Sequence, residues 1–117
     1  MAINDNQAKY YGLKVGKLPQ SVSGTFTAIS NSAALEVIGE FNVLISGGIG
    51  TVAVQRSFDN GSTWYTISQD AAGAAASYTT GGGVAFNGVV EEREADILYR
   101  LSCTSYTSGT VTYRISQ

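Results

Sequence analysis

The chain has 117 residues, which is enough for one domain with a real core and too short for two. Only 14% of the residues are charged, against roughly 25% in an average soluble domain, and glycine, serine and threonine take their place. The net charge of −2 provides no basic surface for nucleic acid, and the absence of histidine excludes histidine-based catalysis and histidine metal ligation.

Cys103 is the only cysteine, so the chain can form no internal disulfide and no cysteine-rich zinc site. Its position in an alternating run predicts a buried thiol that packs as a small hydrophobic residue. The start of the chain has neither a basic region nor an apolar stretch, so we expect no signal peptide and synthesis in a cytoplasm. No apolar run approaches the length of a membrane span, so we expect no membrane partner.

Residues 1–23 show neither helical nor strand periodicity, and we interpret them as an extended N-terminal arm. Two interpretations of this arm remain open. It is either a disordered terminus or an ordered arm on a neighbouring subunit, since paired tyrosines are enriched at interfaces. Its candidate partner contacts are Tyr10, Tyr11, Lys14 and Lys17, with Lys9 beside them.

From residue 24 onward, short alternating runs predict a series of strands. The first covers residues 25–29 and is ended by a turn at 30–32. Residues 34–38 and 41–45 are either two strands or one long strand with a bulge at Gly39.

A central hairpin is predicted by two alternating runs, at 51–58 and 63–68. Asp59-Asn60-Gly61 connects them, because Asn-Gly accepts the positive φ of a tight turn. The residues predicted to share one face of the first strand are Val52, Val54, Arg56 and Phe58.

The same turn matches the Asp-box pattern Ser-x-Asp-x-Gly-x-Thr-Trp. We expect the aspartate to accept hydrogen bonds from its own turn and the tryptophan to pack over the hairpin base. The pattern resembles the Asp boxes of sialidase propellers, which recur on several blades and are structural. Here it occurs once, in a chain too short for a propeller, so we expect no sialidase activity. The residues with this predicted structural role are Ser57, Asp59, Gly61, Thr63 and Trp64.

The second half of the chain continues the strand pattern. Residues 70–76 predict a loop with at most one helical turn, because Gly73 interrupts the alanines. A short strand at 77–80 and a strand at 84–90, interrupted at Asn87-Gly88, follow.

The last residues predict a C-terminal hairpin. Residues 97–104 and 111–115 alternate between apolar and polar, and a turn is expected at 106–109. Arg100 and Arg114 belong to its polar face.

A chain with about eight or nine strands and no convincing helix is typical of an all-β fold. We predict a two-sheet antiparallel β-sandwich, jelly-roll or immunoglobulin-like, in residues 24–117.

The only charge cluster, residues 91–96, is interpreted as a solvated loop whose charges cover a sheet edge. Calcium binding and a carboxylate pair for glycoside hydrolysis are the alternatives. Nothing in the pattern marks a cleft, and we expect no catalytic residue, no metal and no cofactor. An alternative binding function is a sugar-stacking platform, for which the candidate residues are Trp64, Tyr65, Tyr78, Tyr106 and Tyr113.

Several stretches resemble small β-rich structural proteins of tailed bacteriophages and prophages. They are residues 54–64, 76–79, 98–104 and 106–117, and the resemblance covers roughly residues 24–117. It implies a virion protein, of which capsid cement or decoration proteins are the best-understood examples of this size. Such proteins are typically sandwiches or jelly rolls that oligomerise on the capsid lattice, and the family implies no catalytic residue.

The resemblance therefore predicts a capsid decoration protein that stabilises the assembled head. Its expected partners are the major capsid protein and copies of itself, as a trimer, and its expected location is the virion. The arm would then contact an acidic capsid surface through its lysines, with Tyr10 and Tyr11 as anchors. Two alternatives remain. One is a carbohydrate-binding tail or fibre module for host recognition, and the other is a head–tail joining or tail-completion protein.

Overall fold

The computed structural model describes residues 20–69 and 72–117, and within these ranges the chain contains strands and no helix. The all-β prediction is confirmed for this part. None of the described residues belongs to a helix that could cross a membrane. The strands are β1 (Ser21–Phe26), β2 (Ser30–Asn31), β3 (Leu35–Ser46), β4 (Ile49–Ser57), β5 (Tyr65–Thr66), β6 (Ser77–Thr79), β7 (Val84–Ser108) and β8 (Val111–Ser116).

The strands form one antiparallel sheet in the order β1-β8-β3-β7-β4-β5, with β2 paired to β7 and β6 paired to β4. Strand β7, with 25 residues, is the longest element. Its first segment, Val84–Glu92, pairs with the second part of β3. Its second segment, Ile97–Ser108, pairs with the start of β3 and along the whole of β4. Most of the sheet is therefore assembled around β7.

Strands β3 and β7 are irregular at the same point along their pairing. The register between β3 and β7 shifts where Val37 opposes Ile97 and Gly39 opposes Glu92, so β7 has extra residues there. Gly39 and Asp96 both have positive φ, of 76° and 64°. Such a bulge bends a strand and increases its twist. Of the two predicted alternatives, one long β3 is the observed one, but the extra residues of the bulge belong to β7, opposite Gly39.

This bulge corrects the prediction for the charge cluster. Residues 91–96 lie inside β7 and form no separate loop. Glu92 is buried, with 5% of its surface exposed. The pattern of consecutive charges indicated solvent exposure, but the bulge turns one carboxylate inward.

The core is assembled from residues of β1, β3, β4, β7 and β8. Phe41 packs on Tyr99 with ring centroids 4.6 Å apart, and Phe26 stacks on Tyr113 at 4.4 Å. Cys103 is buried as predicted, and burial raises the pKa of its thiol. The large side chains with almost no exposed surface include Phe26, Phe41, Ile45, Ile97, Leu101, Ile115, Val37, Val43, Val52, Val54 and Val111.

The predicted C-terminal hairpin is wrong. Strand β8 pairs with β1 and β3, and no pairing joins it to β7. Tyr106 and the residues after it, through Ser108, belong to β7, and the chain turns at Gly109, whose φ is 76°. Gly109 lies against Gly48, so the chain crosses close to the β3–β4 turn. Alternation predicts which side chains are buried, but it does not identify the neighbouring strand.

Other strand predictions differ in extent. Strand β1 lies at residues 21–26 instead of 25–29, and the predicted turn at 30–32 contains β2. The second strand of the central hairpin shrinks to β5, because only residues 65–66 pair with β4. The expected interruption at Asn87-Gly88 is absent, since β7 runs through it.

Candidate functional site

The turn after β4 is closed by its own side chains. Ser57 Oγ donates to Asp59 Oδ1 at 2.8 Å and accepts from the Gly61 amide at 2.9 Å. The Thr63 amide donates to the same Asp59 oxygen at 2.8 Å. Asn60 and Gly61 have φ of 59° and 93°. The structure thus brings the Asp-box residues together in one turn. Each of these hydrogen bonds joins two residues of the turn itself.

Trp64 completes this turn. Its Nε1 donates to the Gly61 carbonyl at 3.0 Å, and the Arg100 guanidinium lies over its ring at 4.4 Å. Arg100 is held in place by a bond from its Nε to Gln55 Oε1 at 2.9 Å. One face of the indole is therefore covered by the chain itself and is not free for a sugar ring.

The structure does not assemble the predicted sugar-stacking platform. Tyr113 stacks on Phe26 in the core, and the Tyr106 hydroxyl donates to the Gly109 carbonyl. Tyr78 stacks on Phe86 at 4.7 Å. Only Tyr65 is more than half exposed, at 55%.

Hydrogen bonds from the Thr63 amide and the Ser57 hydroxyl hold the pKa of Asp59 below its ordinary value. The carboxylate therefore contributes stability that is fully present above the unfolded-state pKa of about 4 and is lost as the pH falls from there through the lower folded-state pKa. Asp59→Asn keeps an oxygen acceptor and removes the titration. We expect the gap in unfolding free energy between wild type and this variant to shrink between pH 6 and pH 3, in urea denaturation. Unfolding free energies of wild type and Asp59→Asn that change in parallel with pH would contradict this role of Asp59.

A cleft of about 800 Å³ opens between the β4–β5–β6 side of the sheet and the first segment of β7. Its walls carry two aromatic pairs, Phe58 with Tyr65 at 6.0 Å and Tyr78 with Phe86 at 4.7 Å. We call this feature the aromatic cleft. Phe58 is 53% exposed, and Val89 on the opposite wall is 55% exposed. The cleft thus presents apolar surface to the outside.

The floor of the aromatic cleft is charged. Arg56 Nη2 lies 2.6 Å from Glu92 Oε1 and 3.6 Å from Glu94 Oε2. The Tyr99 hydroxyl donates to Glu92 at 3.0 Å, and the Glu94 amide donates to its other oxygen at 3.0 Å. Burial raises the pKa of Tyr99, and the nearby Glu92 carboxylate raises it further. The Glu92 side chain is only 6% exposed, so this network ties the bulge of β7 to β4.

The Arg56 guanidinium also lies over the Phe58 ring on the cleft wall, with its central carbon 4.4 Å from the ring centroid. Its buried Nε has no hydrogen-bond partner among the described residues. The stacking holds Phe58 near Tyr65, and the cleft therefore has one wall fixed by an aromatic-cation contact.

The first segment of β7 also has a free edge. It pairs with β3 along one side, and no strand in residues 20–69 or 72–117 pairs with its other side. Residues 84–90 read Val-Ala-Phe-Asn-Gly-Val-Val and contain no charge and no proline. Natural edge strands normally carry a charged residue or a proline, because their unpaired backbone groups can otherwise pair with another strand.

Neither the charged floor nor the free edge was predicted from the sequence. A signal for the floor was present, since Arg56 was placed on the same face as Val52 and Val54, and an arginine on a buried face needs an acidic partner. The predicted contacts Tyr10, Tyr11, Lys14 and Lys17 lie outside the described residues.

The described residues contain no group of three or more histidine, cysteine, aspartate or glutamate side chains that could hold a metal ion. No protein-family model, curated protein or solved structure matches the chain.

Proposed function

We propose that this chain is a virion structural protein of a tailed phage, a capsid decoration protein that binds the assembled head as an oligomer. The resemblance of residues 24–117 to small phage structural proteins supports the class. The observation that carries the proposal is the exposed apolar surface of the aromatic cleft, at Phe58, Tyr65 and Val89. Apolar side chains gathered around a concave surface are typical of a protein interface.

The finer fold in this proposal is a two-sheet sandwich. In this proposal the bulge near Gly39 and Asp96 bends the sheet between two sets of strands. One contains β1, β8, the second part of β3 and the first segment of β7, and the other contains the second segment of β7 with β4 and β5. Buried residues of both sets belong to one core cluster. Two layers around a shared core are the usual solution for such a sheet.

This architecture suits a protein that stabilises a lattice. A partner that binds the assembled head and not the free capsid protein shifts the equilibrium towards the assembled state by mass action. A three-fold oligomer repeats each weak contact and so gains avidity. A surface with few charges fits extended contact with other protein surfaces.

The test is sedimentation of the purified chain with heads of the encoding phage that lack it. We expect the chain to pellet with assembled heads, to saturate at a fixed ratio to the capsid protein, and to leave unassembled capsid protein unbound. Absence of binding to heads, or equal binding to unassembled capsid protein, would contradict the proposal.

A further inference from the structure

We propose that the free edge of β7 and the aromatic cleft together bind an extended peptide strand, and that this strand is residues 1–19 of a second copy of the chain. The inference rests on the proposed oligomeric function and specifies how the copies are joined. The free edge here means Val84–Val90.

The backbone of the free edge is suited to receive a strand. Its outer N–H and C=O groups have no strand partner among the described residues, and an added strand would continue the sheet by main-chain hydrogen bonds. Val84 and Val89 are 67% and 55% exposed, so a bound strand would also cover apolar side chains. An uncovered edge of this composition would be prone to uncontrolled pairing.

The aromatic cleft supplies the side-chain contacts. In an extended strand, successive side chains point to opposite sides. Of the adjacent pair Tyr10 and Tyr11, one side chain would therefore face the cleft, where the exposed rings of Phe58 and Tyr65 offer aromatic surfaces. Aromatic pairs of this kind add about 0.5 to 1.5 kcal/mol beyond the area they bury.

The charges of the two partners are complementary. Residues 1–19 contain three lysines and one aspartate, a net charge of +2, whereas residues 20–117 contain four arginines and eight acidic residues, a net charge of −4. Two of those acids, Glu91 and Glu94, lie near the cleft with side chains 51% and 61% exposed, and each also contacts an arginine, Arg93 and Arg56 respectively. The opposite overall charges of the two segments favour association between copies.

The position where residues 1–19 join the sheet favours a second copy. Gln20 and Gln117 exchange backbone hydrogen bonds beside β1, the outer strand. Ser21, Ser116, Asn42 and Val89 lie in one row across four strands, so β1 is three strand spacings, about 14 Å, from the free edge.

The direction of β1 and the length of residues 1–19 favour a second copy. Residues 1–19 can span about 60 Å when extended, enough to reach the free edge of a neighbouring copy. Docking in its own cleft would require the segment to reverse and cross three strand ends.

The experiment compares full-length variants by sedimentation velocity over a concentration series. We expect the wild type to oligomerise and Val89→Lys to weaken association at least about ten-fold, because it places a charge on the edge. Tyr10→Ser/Tyr11→Ser should weaken it similarly. The matched control is Ile29→Lys, which changes an apolar residue outside the cleft that is 69% exposed, and it should associate as the wild type does.

Mixing the two defective variants tests whether the segment comes from a second copy. The Val89→Lys chain has an intact segment and the tyrosine variant has an intact cleft, so a heterodimer should form only in the mixture. Three results would overturn the inference. These are a monomeric wild type, association of Val89→Lys equal to that of Ile29→Lys, and amide protection of residues 84–90 in a monomer, which would place the segment in its own cleft.

Binding of glycans on an array, lost in Tyr65→Ala while Val89→Lys associates normally, would also overturn it and assign the cleft to carbohydrate. The inference and the proposed function fail separately. If the chain forms oligomers that depend on the free edge but does not bind phage heads, this inference holds and the decoration role fails. If the chain binds heads but Val89→Lys does not change its self-association, the decoration role holds and this inference fails.

Discussion

Arg56→Met is expected to lower the free energy of unfolding by about 3 kcal/mol. The substitution leaves the Glu92 carboxylate, 6% exposed, without its 2.6 Å partner. Removing one member of a buried ion pair costs about 3 to 5 kcal/mol, and the lower end applies here because Arg56 is 26% exposed and Glu94 lies nearby. Urea denaturation at neutral pH measures the effect.

The control is the apolar triple variant Arg56→Met/Glu92→Met/Tyr99→Phe. It removes both charges and also the Tyr99 hydroxyl, whose acceptor is Glu92. Replacing a whole buried polar group by apolar side chains of similar volume is often neutral or stabilising, so the triple variant should recover most of the loss. An Arg56→Met chain within about 0.5 kcal/mol of wild type would show that the pair is effectively solvated.

Gly48→Ala is expected to cost about 3 kcal/mol through two separate effects. Gly48 has a φ of 61°, where an alanine is strained. A Cβ there would also lie 2.8 Å from the Thr110 carbonyl carbon and 2.9 Å from Val111 Cγ2. The first effect costs about 1 to 2 kcal/mol and the second, as overpacking, about 1 to 3. The free energy of unfolding in urea measures their sum.

Gly82→Ala separates the two effects. Gly82 also has positive φ, at 89°, but a Cβ on it would meet no atom within 4 Å. This variant should therefore lose only the backbone contribution. Equal losses in the two variants would contradict the close approach of the β3–β4 turn to the crossing between β7 and β8.

Local features of this fold were predictable from the sequence. The Asp-box turn lies within residues 57–64, and its hydrogen bonds join residues at most four positions apart. Alternation correctly placed residues such as Val52, Leu101 and Ile115 in the core. These features depend on local backbone chemistry and on the two-residue period of a strand.

Strand partners were less predictable, as β8 shows. Its alternation suits pairing with β7, which precedes it, as well as pairing with β1 and β3. The observed choice depends on the chain crossing at Gly109 against Gly48, and these two residues are far apart in the sequence. A pattern read along one strand contains no information about such a contact.

The charged floor depends on the same kind of long-range geometry. Arg56 and Glu92 belong to different strands, and they meet because β7 bulges between Glu92 and Ile97. The sequence showed four acidic residues close together, which normally indicates a solvated segment. Only the bulge, with Asp96 at positive φ, distinguishes the buried carboxylate from its exposed neighbours.

The most direct test of the proposed function is the copy number of this chain in purified virions of the encoding phage. Quantitative mass spectrometry against the major capsid protein gives that number. The proposal predicts a copy number of the same order as the capsid protein, because a decoration protein occupies repeated positions on the lattice. A handful of copies per particle, as in a tail or a head–tail joint, or complete absence from the virion, would contradict it.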